Sequence, residues 1–538
     1  MPRILICDKL EFAGLDLLAH AGFEVDNRPG LKGEELREAI RQADGCIVRS
    51  GTKITADLLE DPDRLRAIVR AGVGVDNIDV AAATRQGIVV MNTPGGNTVS
   101  AAEHTIALLL AMARHIPAAD AAMKAGKWER NKFMGAEVAG KTLGVIGLGR
   151  IGREVCRRAA GLDMNVLGFD AFIKPERAAE LGINVVVSVQ ELLPQCDFLT
   201  VHTPLNDETR NLIDRPQIAK LKPGCRLINV ARGGIFNEEA IAEALTSGAI
   251  AGAALDVFAQ EPPPANSPLF KAPNLLMTPH LGASTLEAQE AVAVEAAQLL
   301  IDCLSRGVVQ SAVNATAIDR AELDVLKHYI DLARRLGMLQ AQMAEGPIKK
   351  ATLIYRGEIA SRQTRLLTAA FAAGVMSYKE ETVNAVNAEL LARERGVEFI
   401  EAKSPRGSDF ASMIETDVVS EKGTITASGT LFGNQWLRLV QLESYRLEAY
   451  LDGVLLLFHH KDQPGLIGHI GTVFGKHGVN IAQMNVGRRE AGGEAIAVLN
   501  LDTVPSDAAL AEVRRHPHVN SLKIVQLPPA GQMPGLLG

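Results

Sequence analysis

The chain has 538 residues, 47% of them hydrophobic and 22% charged, with a formal net charge of -7. That length exceeds a single core at roughly 100–200 residues per domain, and the acidic balance leaves no basic surplus for nucleic acid or an anionic membrane. Six scattered cysteines without a Cys-x-x-Cys pair indicate neither a disulfide framework nor a zinc site, so no metal is expected. The apolar run at the start is broken by Asp8 and Lys9, and the run from Thr105 by Arg114 and His115. Neither reaches a signal-peptide core or the ~20 apolar residues of a span, so a soluble cytoplasmic protein is expected. Its expected partners are small molecules and further copies of itself.

From Pro2 to about Val99, the order "RILICD", "FAGLDLLAHAG", "GCIVRS", "LRAIVRAG", "GIVVMN" reads as short apolar strands alternating with amphipathic helices. Such alternation argues for a parallel sheet. It resumes at "TLGVIGLG" and runs through "NVLGFD", "CDFLTVHTP", "CRLINVAR", "AGAALDVF" and "NLLMTPH". Helices are expected over Ser100–Arg114, between the two units, and over Ser284–Arg306, returning to the first. After Asp319 the chain mixes helical "LTAAFAAGVM" with β-rich "GTITASGTLFG" and "LRLVQLES". From "VLLLFHHK" to "SLKIVQL" the order is βαββαβ. The expected fold class is α/β: two Rossmann-like doubly wound parallel-sheet domains, an intervening α+β domain, and a ferredoxin-like unit. The expected boundaries are 1–99 with 284–316, 100–283, 317–452 and 453–528, with a tail at 529–538.

Gly147-x-Gly149-x-x-Gly152, with Arg150 and Ile151 inside it, follows an expected strand and opens a helix. The glycines serve a tight turn, close approach to a pyrophosphate and close helix packing. Asp170 ends the next strand, where it would bond the ribose hydroxyls and repel a 2'-phosphate. NAD is therefore expected over NADP, because the following "AFIK" offers only Lys174 as a distant phosphate partner. Arg232, Glu261 and His280 stand in strand-end loops of this unit, where ligands of doubly wound sheets bind.

Here "RAGVGVDNID", "GLGRIG", "VHTPL", "NVARGG", "LDVFAQEP" and "TPHLGAST" together resemble the D-2-hydroxyacid dehydrogenase family over about the first 316 residues. The resemblance implies a nucleotide domain inserted into a substrate domain, with the active site between them. It also implies cofactor contacts at Thr203, Pro204, Thr209, Ala231 and Gly282, with Asp256 near the nicotinamide. The residue types suit the chemistry. Arg232 can hold an α-hydroxy carboxylate through paired bonds, His280 can carry the hydroxyl proton, and Glu261 can orient the imidazole and stabilise its charged form.

Within that family, the whole chain most resembles the long members that oxidise D-3-phosphoglycerate and open serine biosynthesis. Arg49 with Ser50, Arg70 and Gly74 in "RAGVGVD", and Asn97 would supply a second anion site. Arg130 and Lys132 are implied to reach a neighbouring subunit's site in a homo-oligomer, expected as a tetramer. "HHKDQPGLIG" and "GVNIAQM" resemble an ACT domain, implying allosteric L-serine binding by His460, Asp462 and Asn480. Two alternatives stay open: another 2-hydroxyacid enzyme, such as a glyoxylate or hydroxypyruvate reductase, and a non-catalytic NAD-sensing scaffold. Formate dehydrogenases usually carry glutamine where this chain has Glu261.

Overall fold

The computed structural model describes residues 1–173, 175–180, 182–377, 382–406, 409–433 and 435–532. Lys174 and the end of the tail lie outside the described residues. The first sheet comprises β1 (Arg3–Ile6), β2 (Glu24–Asn27), β3 (Gly45–Val48), β4 (Ala67–Arg70) and β5 (Val89–Asn92). All are parallel, in the order β2-β1-β3-β4-β5. The segment "LRAIVRAG" thus supplies the strand β4, where the alternation implied a helix. Its Ala67, Ile68 and Val69 are fully buried, and the connection from β3 is made by the short turn Ala56–Leu59 instead.

The second sheet has seven parallel strands. They are β6 (Thr142–Ile146), β7 (Asn165–Phe169), β8 (Asn184–Val185), β9 (Phe198–Val201), β10 (Arg226–Asn229), β11 (Gly252–Leu255) and β12 (Leu275–Met277). Their order is β12-β11-β10-β9-β6-β7-β8, which reverses direction at β6, the switch point where doubly wound sheets take their ligands. The helix Thr98–Ala113 enters this unit, with Leu108, Leu109 and Met112 in its core. The helix Leu286–Arg306 leaves it and buries Val292, Ala293, Ala296 and Leu300 among Ile4, Ile47 and Val69 of the first sheet.

The third sheet follows with β13 (Ile348–Gly357), β14 (Glu398–Ser404), β15 (Ser412–Ser420), β16 (Gly423–Phe432), β17 (Trp436–Leu442) and β18 (Tyr445–Tyr450). It is antiparallel except for the β13–β14 pair, and the helices Arg320–Met343 and Thr364–Met376 contribute to its core. The fourth sheet is antiparallel: β19 (Val454–Lys461), β20 (Ile481–Arg488), β21 (Glu494–Leu501) and β22 (Val519–Gln526), ordered β20-β21-β19-β22. With helices Leu466–Lys476 and Asp507–Arg514 it forms the βαββαβ unit. The third and fourth sheets share one core, in which Leu455, Val498 and Val525 pack with Leu326 and Leu442. Among the described residues no single helix is long and apolar enough to cross a membrane.

Candidate active site

Parallel strands deliver all their carboxyl-end loops to one edge, and the first two sheets turn those edges toward a common cleft of about 780 Å³. Arg49, Ser50, Arg70, Gly74 and Asn97 line it from the first unit and the helix entry. Gly149, Arg150, Ile151, Thr203, Pro204, Ala231, Arg232, Glu261, His280 and Gly282 line it from the second.

His280 follows β12 in a left-handed conformation, φ 56°, held by its N–H to the Asp256 carbonyl at 2.9 Å. Its Nδ1 lies 2.7 Å from Glu261 Oε2. A carboxylate only accepts, so Nδ1 carries the proton and Nε2 is left as the proton-accepting nitrogen. The other Glu261 oxygen accepts the Phe258 N–H at 3.1 Å. Burial pushes the Glu261 carboxyl up, but the bonds from His280 and Phe258 outweigh it and hold the carboxyl below its ordinary value. It stays ionised at neutral pH, as an orienting anion must. His202 also lines the cleft, but burial pushes its imidazole down to about 4, which leaves it uncharged and ill suited to carry protons near neutrality.

Arg232 sits in the turn after β10. Asn229 shapes that turn by accepting the Ala231 N–H at 3.0 Å and donating to the Arg232 carbonyl at 2.8 Å. Arg232 Nε lies 3.2 Å from Asp76 Oδ2, so the guanidinium already engages a carboxylate. Gly74 makes room for it: a Cβ there would lie 2.1 Å from Nη2. Burial, then the charges of Arg232 and Arg49, push Arg70 down to about 10. Like charges crowded in one cleft favour an anionic ligand that would relieve them. Asp8 holds the Arg49 loop by accepting the N–H groups of Arg49 and Thr52 at 2.5 and 3.2 Å.

The cofactor side fits a dinucleotide. Gly147 takes φ 91°, a Cβ on Gly152 would lie 1.9 Å from the Gly147 carbonyl, and Gly149 opens the helix Arg150–Ala160 with free space where a Cβ would stand. The buried polar atoms Thr203 Oγ1, Asn97 Oδ1 and Arg70 Nε have no partner among the described residues, and all three residues line the cleft. Asp170 stands just beyond β7, with Oδ2 accepting the Leu148 N–H at 2.8 Å and Oδ1 those of Phe172 and Ile173.

Several expected residues stand elsewhere. Asp256 is fully buried and does not line the cleft: it accepts the N–H groups of Leu281 at 2.7 Å and Gly282 at 2.9 Å, and the Thr278 hydroxyl at 2.6 Å. His104 Nε2 lies 3.2 Å from it. Burial would raise Asp256, yet the bonds from His104, Thr278 and Leu281 hold it below its ordinary value. It braces the His280 loop. Thr209 closes its own loop by donating to Pro204 O at 2.6 Å. Arg130 and Lys132 occupy an exposed turn, Arg130–Phe133, outside this cleft, and Lys132 pairs with Glu129 at 2.6 Å.

The effector candidates do not converge within one copy. His460, 2% exposed, sets Nδ1 3.1 Å from the Lys461 carbonyl, and its buried Nε2 has no partner among the described residues. Asp462 accepts Arg488 Nη1 at 2.8 Å, while Asn480 donates to Asp502 at 2.8 Å. Lys461 pairs with Glu494 and Ile481 with Leu501, so Asp462 and Asn480 lie about one strand length apart, ~23 Å at ~3.3 Å per residue. Sequence reasoning also passed over Asp8, Asp76, His104 and Asn229. Asp76 and Asn229 stand inside the quoted motifs "RAGVGVDNID" and "NVARGG" and Asp8 just after a strand, which was the available signal, whereas His104 lies within the helix Thr98–Ala113 and carried none.

Residues 106–282 match the family model for the D-isomer specific 2-hydroxyacid dehydrogenase NAD binding domain. Residues 325–443 match that for the D-3-phosphoglycerate dehydrogenase intervening domain, and 454–518 the ACT domain. The chain is 40% identical to D-3-phosphoglycerate dehydrogenase of Methanocaldococcus jannaschii over 528 residues, covering 98% of this chain and 100% of that one. It is 40% identical to the Bacillus subtilis protein of that name over 530 residues, covering 98% and 100%. The solved NAD+-bound 3-phosphoglycerate dehydrogenase of Entamoeba histolytica is 30% identical with a TM-score of 0.50, covering 59% of this chain and 99% of that one. With a cleft built for an acidic substrate and a dinucleotide, and likeness along nearly its whole length, the chain belongs to the D-3-phosphoglycerate dehydrogenase family.

Proposed function

We propose that the chain oxidises D-3-phosphoglycerate to 3-phosphohydroxypyruvate with NAD, the first step of serine biosynthesis. The observation that carries this is the His280–Glu261 pair sharing one cleft with three guanidiniums, those of Arg232, Arg70 and Arg49. Arg232 takes the substrate carboxylate in place of Asp76, and Arg70 with Arg49 takes the phosphate. His280 Nε2 removes the hydroxyl proton as the C2–O bond becomes a carbonyl, and Glu261 stabilises the imidazolium that forms. The chemistry supplied by the bound dinucleotide is acceptance of the C2 hydride. Asp170 selects the unphosphorylated ribose, and Asp256 keeps the His280 loop in register.

The test is NADH absorbance on mixing the chain with NAD and either 3-phosphoglycerate or unphosphorylated D-glycerate. A higher kcat/KM for the phosphorylated acid is expected; a preference for the unphosphorylated acid would move the chain to a reductase-like role, and no turnover of any hydroxy acid to an NAD-binding scaffold.

This reading extends to regulation and assembly. The substrate unit is built from 1–99 and 284–316, and the ACT domain pairs between copies in a cytoplasmic tetramer. Serine binds where Asp462 and the buried His460 of one copy meet Asn480 of another. The exposure of Trp128 at 79% and Met134 at 82%, beside Arg130 and Lys132, supports a subunit contact that brings these cations to a neighbouring cleft. Light scattering with and without serine tests the assembly.

A further inference from the structure

The helix Val80–Arg85 follows directly on the loop 70–79 that carries Arg70, Gly74 and Asp76. Asp79 starts it, accepting the Ala82 N–H at 2.9 Å. The last carbonyls of any helix lack partners within it. Here two carbonyls at that end are met by carboxamides from the region of the third sheet: Asn387 Nδ2 donates to Arg85 O at 3.1 Å and Asn384 Nδ2 to Gly87 O at 2.9 Å. Gly87 permits the approach, since it takes φ 71° and a Cβ there would lie 2.5 Å from Asn384 Nδ2. Between the two asparagines, Val386 joins the core of the first sheet with Val89 and Val309. On the outside, Arg85 pairs with Glu394 at 3.2 Å. The turn holds its own shape, because Asn387 Oδ1 accepts the Asn384 N–H and Asn384 Oδ1 the Val386 N–H, each at 2.9 Å.

We propose that the turn Asn384–Asn387 is a positioning element for the substrate loop, so that the intervening domain helps to set the phosphate-binding arginines. The path is short. A six-residue helix spans ~9 Å and moves as a unit. At its start, the Asp79 N–H bonds the Ile54 carbonyl at 2.8 Å. Two residues earlier, Asn77 Nδ2 donates to the carbonyls of Arg49 and Thr52 at 2.7 and 2.6 Å. A displacement of the asparagine turn therefore shifts the helix end, the loop 70–79 and the backbone of Arg49 together. The covalent link through residues 307–319 is thus joined by a second, noncovalent connection that ends at the substrate loop. This inference rests on the reading of Arg49 and Arg70 as substrate ligands.

The decisive variant is Asn384→Asp in the full chain. It keeps the oxygen that accepts the Val386 N–H but removes the donor to Gly87 and sets an oxygen against that carbonyl. The KM for 3-phosphoglycerate should rise roughly fivefold or more, with NAD affinity and saturated kcat changed by less than about twofold. Should this variant fail to fold, the exposed pair supplies the measurement: Arg85→Glu should raise that KM roughly twofold, and adding Glu394→Arg should restore it. A folded Asn384→Asp enzyme with unchanged KM, while Arg70→Gln raises it, would overturn the positioning role and leave the substrate site intact. An unchanged KM in Arg70→Gln would instead bring down the substrate-site reading beneath it.

Discussion

The cleft and the ACT end differ in how their residues are gathered. At the cleft, side chains as distant as Arg49 and His280 meet because parallel strands send every carboxyl end to the same edge. In the fourth sheet successive turns alternate ends, so Asp462 and Asn480 are parted by the length of β20 and β21. A parallel sheet gathers the His280–Glu261 pair and the cleft arginines within one copy, whereas a site drawn from both ends of a small antiparallel sheet calls for a second copy. Catalysis should therefore respond to single substitutions in the cleft, and serine binding to substitutions that act between copies.

The sharpest break of this contrast comes at His280. Replacing it with alanine should lower kcat by ~10²–10⁴-fold with NAD affinity kept, and near-normal turnover would remove it from proton transfer. Arg70→Gln should lower kcat/KM for 3-phosphoglycerate by roughly ten- to a hundredfold, from ~1.5–3 kcal/mol for a hydrogen bond to a charged group. An equal loss with unphosphorylated D-glycerate would mean that Arg70 does not read the phosphate. Asp170→Ala should reduce the NAD to NADP ratio of kcat/KM by about tenfold or more, since one carboxylate supplies both attraction and repulsion. An unchanged ratio would assign the choice to another group. For the other region, Asn480→Ala should raise the serine concentration for half-inhibition by several fold, from ~1 kcal/mol per hydrogen bond, without altering the uninhibited rate. Calorimetry on the same variant decides whether affinity or coupling changed.

The smallest effect concerns pH. Glu261 is held below its ordinary value in the fold, so its pairing with His280 stabilises in full above the ordinary carboxylate pKa of ~4.3 and is lost as pH falls through the folded value. Glu261→Gln should therefore lower Tm near pH 6, with the difference from the parent narrowing toward pH 4. Because both side chains are more than a third exposed, that difference should be only ~1–2 °C.

The second parallel sheet and its nucleotide turn are legible because a strand, a glycine turn and an acidic strand end form a pattern with few alternatives, and Glu261 and His280 stand out because "LDVFAQEP" and "TPHLGAST" resemble the family's motifs. β4 reads as a helix because three buried residues between Arg66 and Arg70 look like one turn of an amphipathic helix. Asp256 is set near the nicotinamide by the family resemblance, whereas its bonds from the N–H groups of Leu281 and Gly282, which brace the His280 loop, are visible only in the fold. The helix Arg320–Met343 is harder still, since Asp331, Arg335 and Gln340 stand buried where periodicity expects apolar residues. Asn384 and Asn387 carry no motif, and their role depends on a helix end some 300 residues earlier.

The core common to the third and fourth sheets has a practical side. Gln483 Oε1 accepts the Tyr450 N–H at 3.1 Å, Asn485 Oδ1 that of Glu448 at 3.3 Å, and buried Arg335 donates to the carbonyls of Leu451, Pro528, Pro529 and Gln532. Cutting the chain near Asp452 to isolate the ACT domain would strip apolar surface from both fragments and take the Pro528, Pro529 and Gln532 carbonyls away from the buried Arg335. The transplantable module is the pair, severed at 307–319 and carrying Arg335 with the segment through Gln532. An ACT domain grafted onto another dehydrogenase would have to travel with its neighbour, and a purification tag is safer ahead of Met1 than fused close behind Gln532.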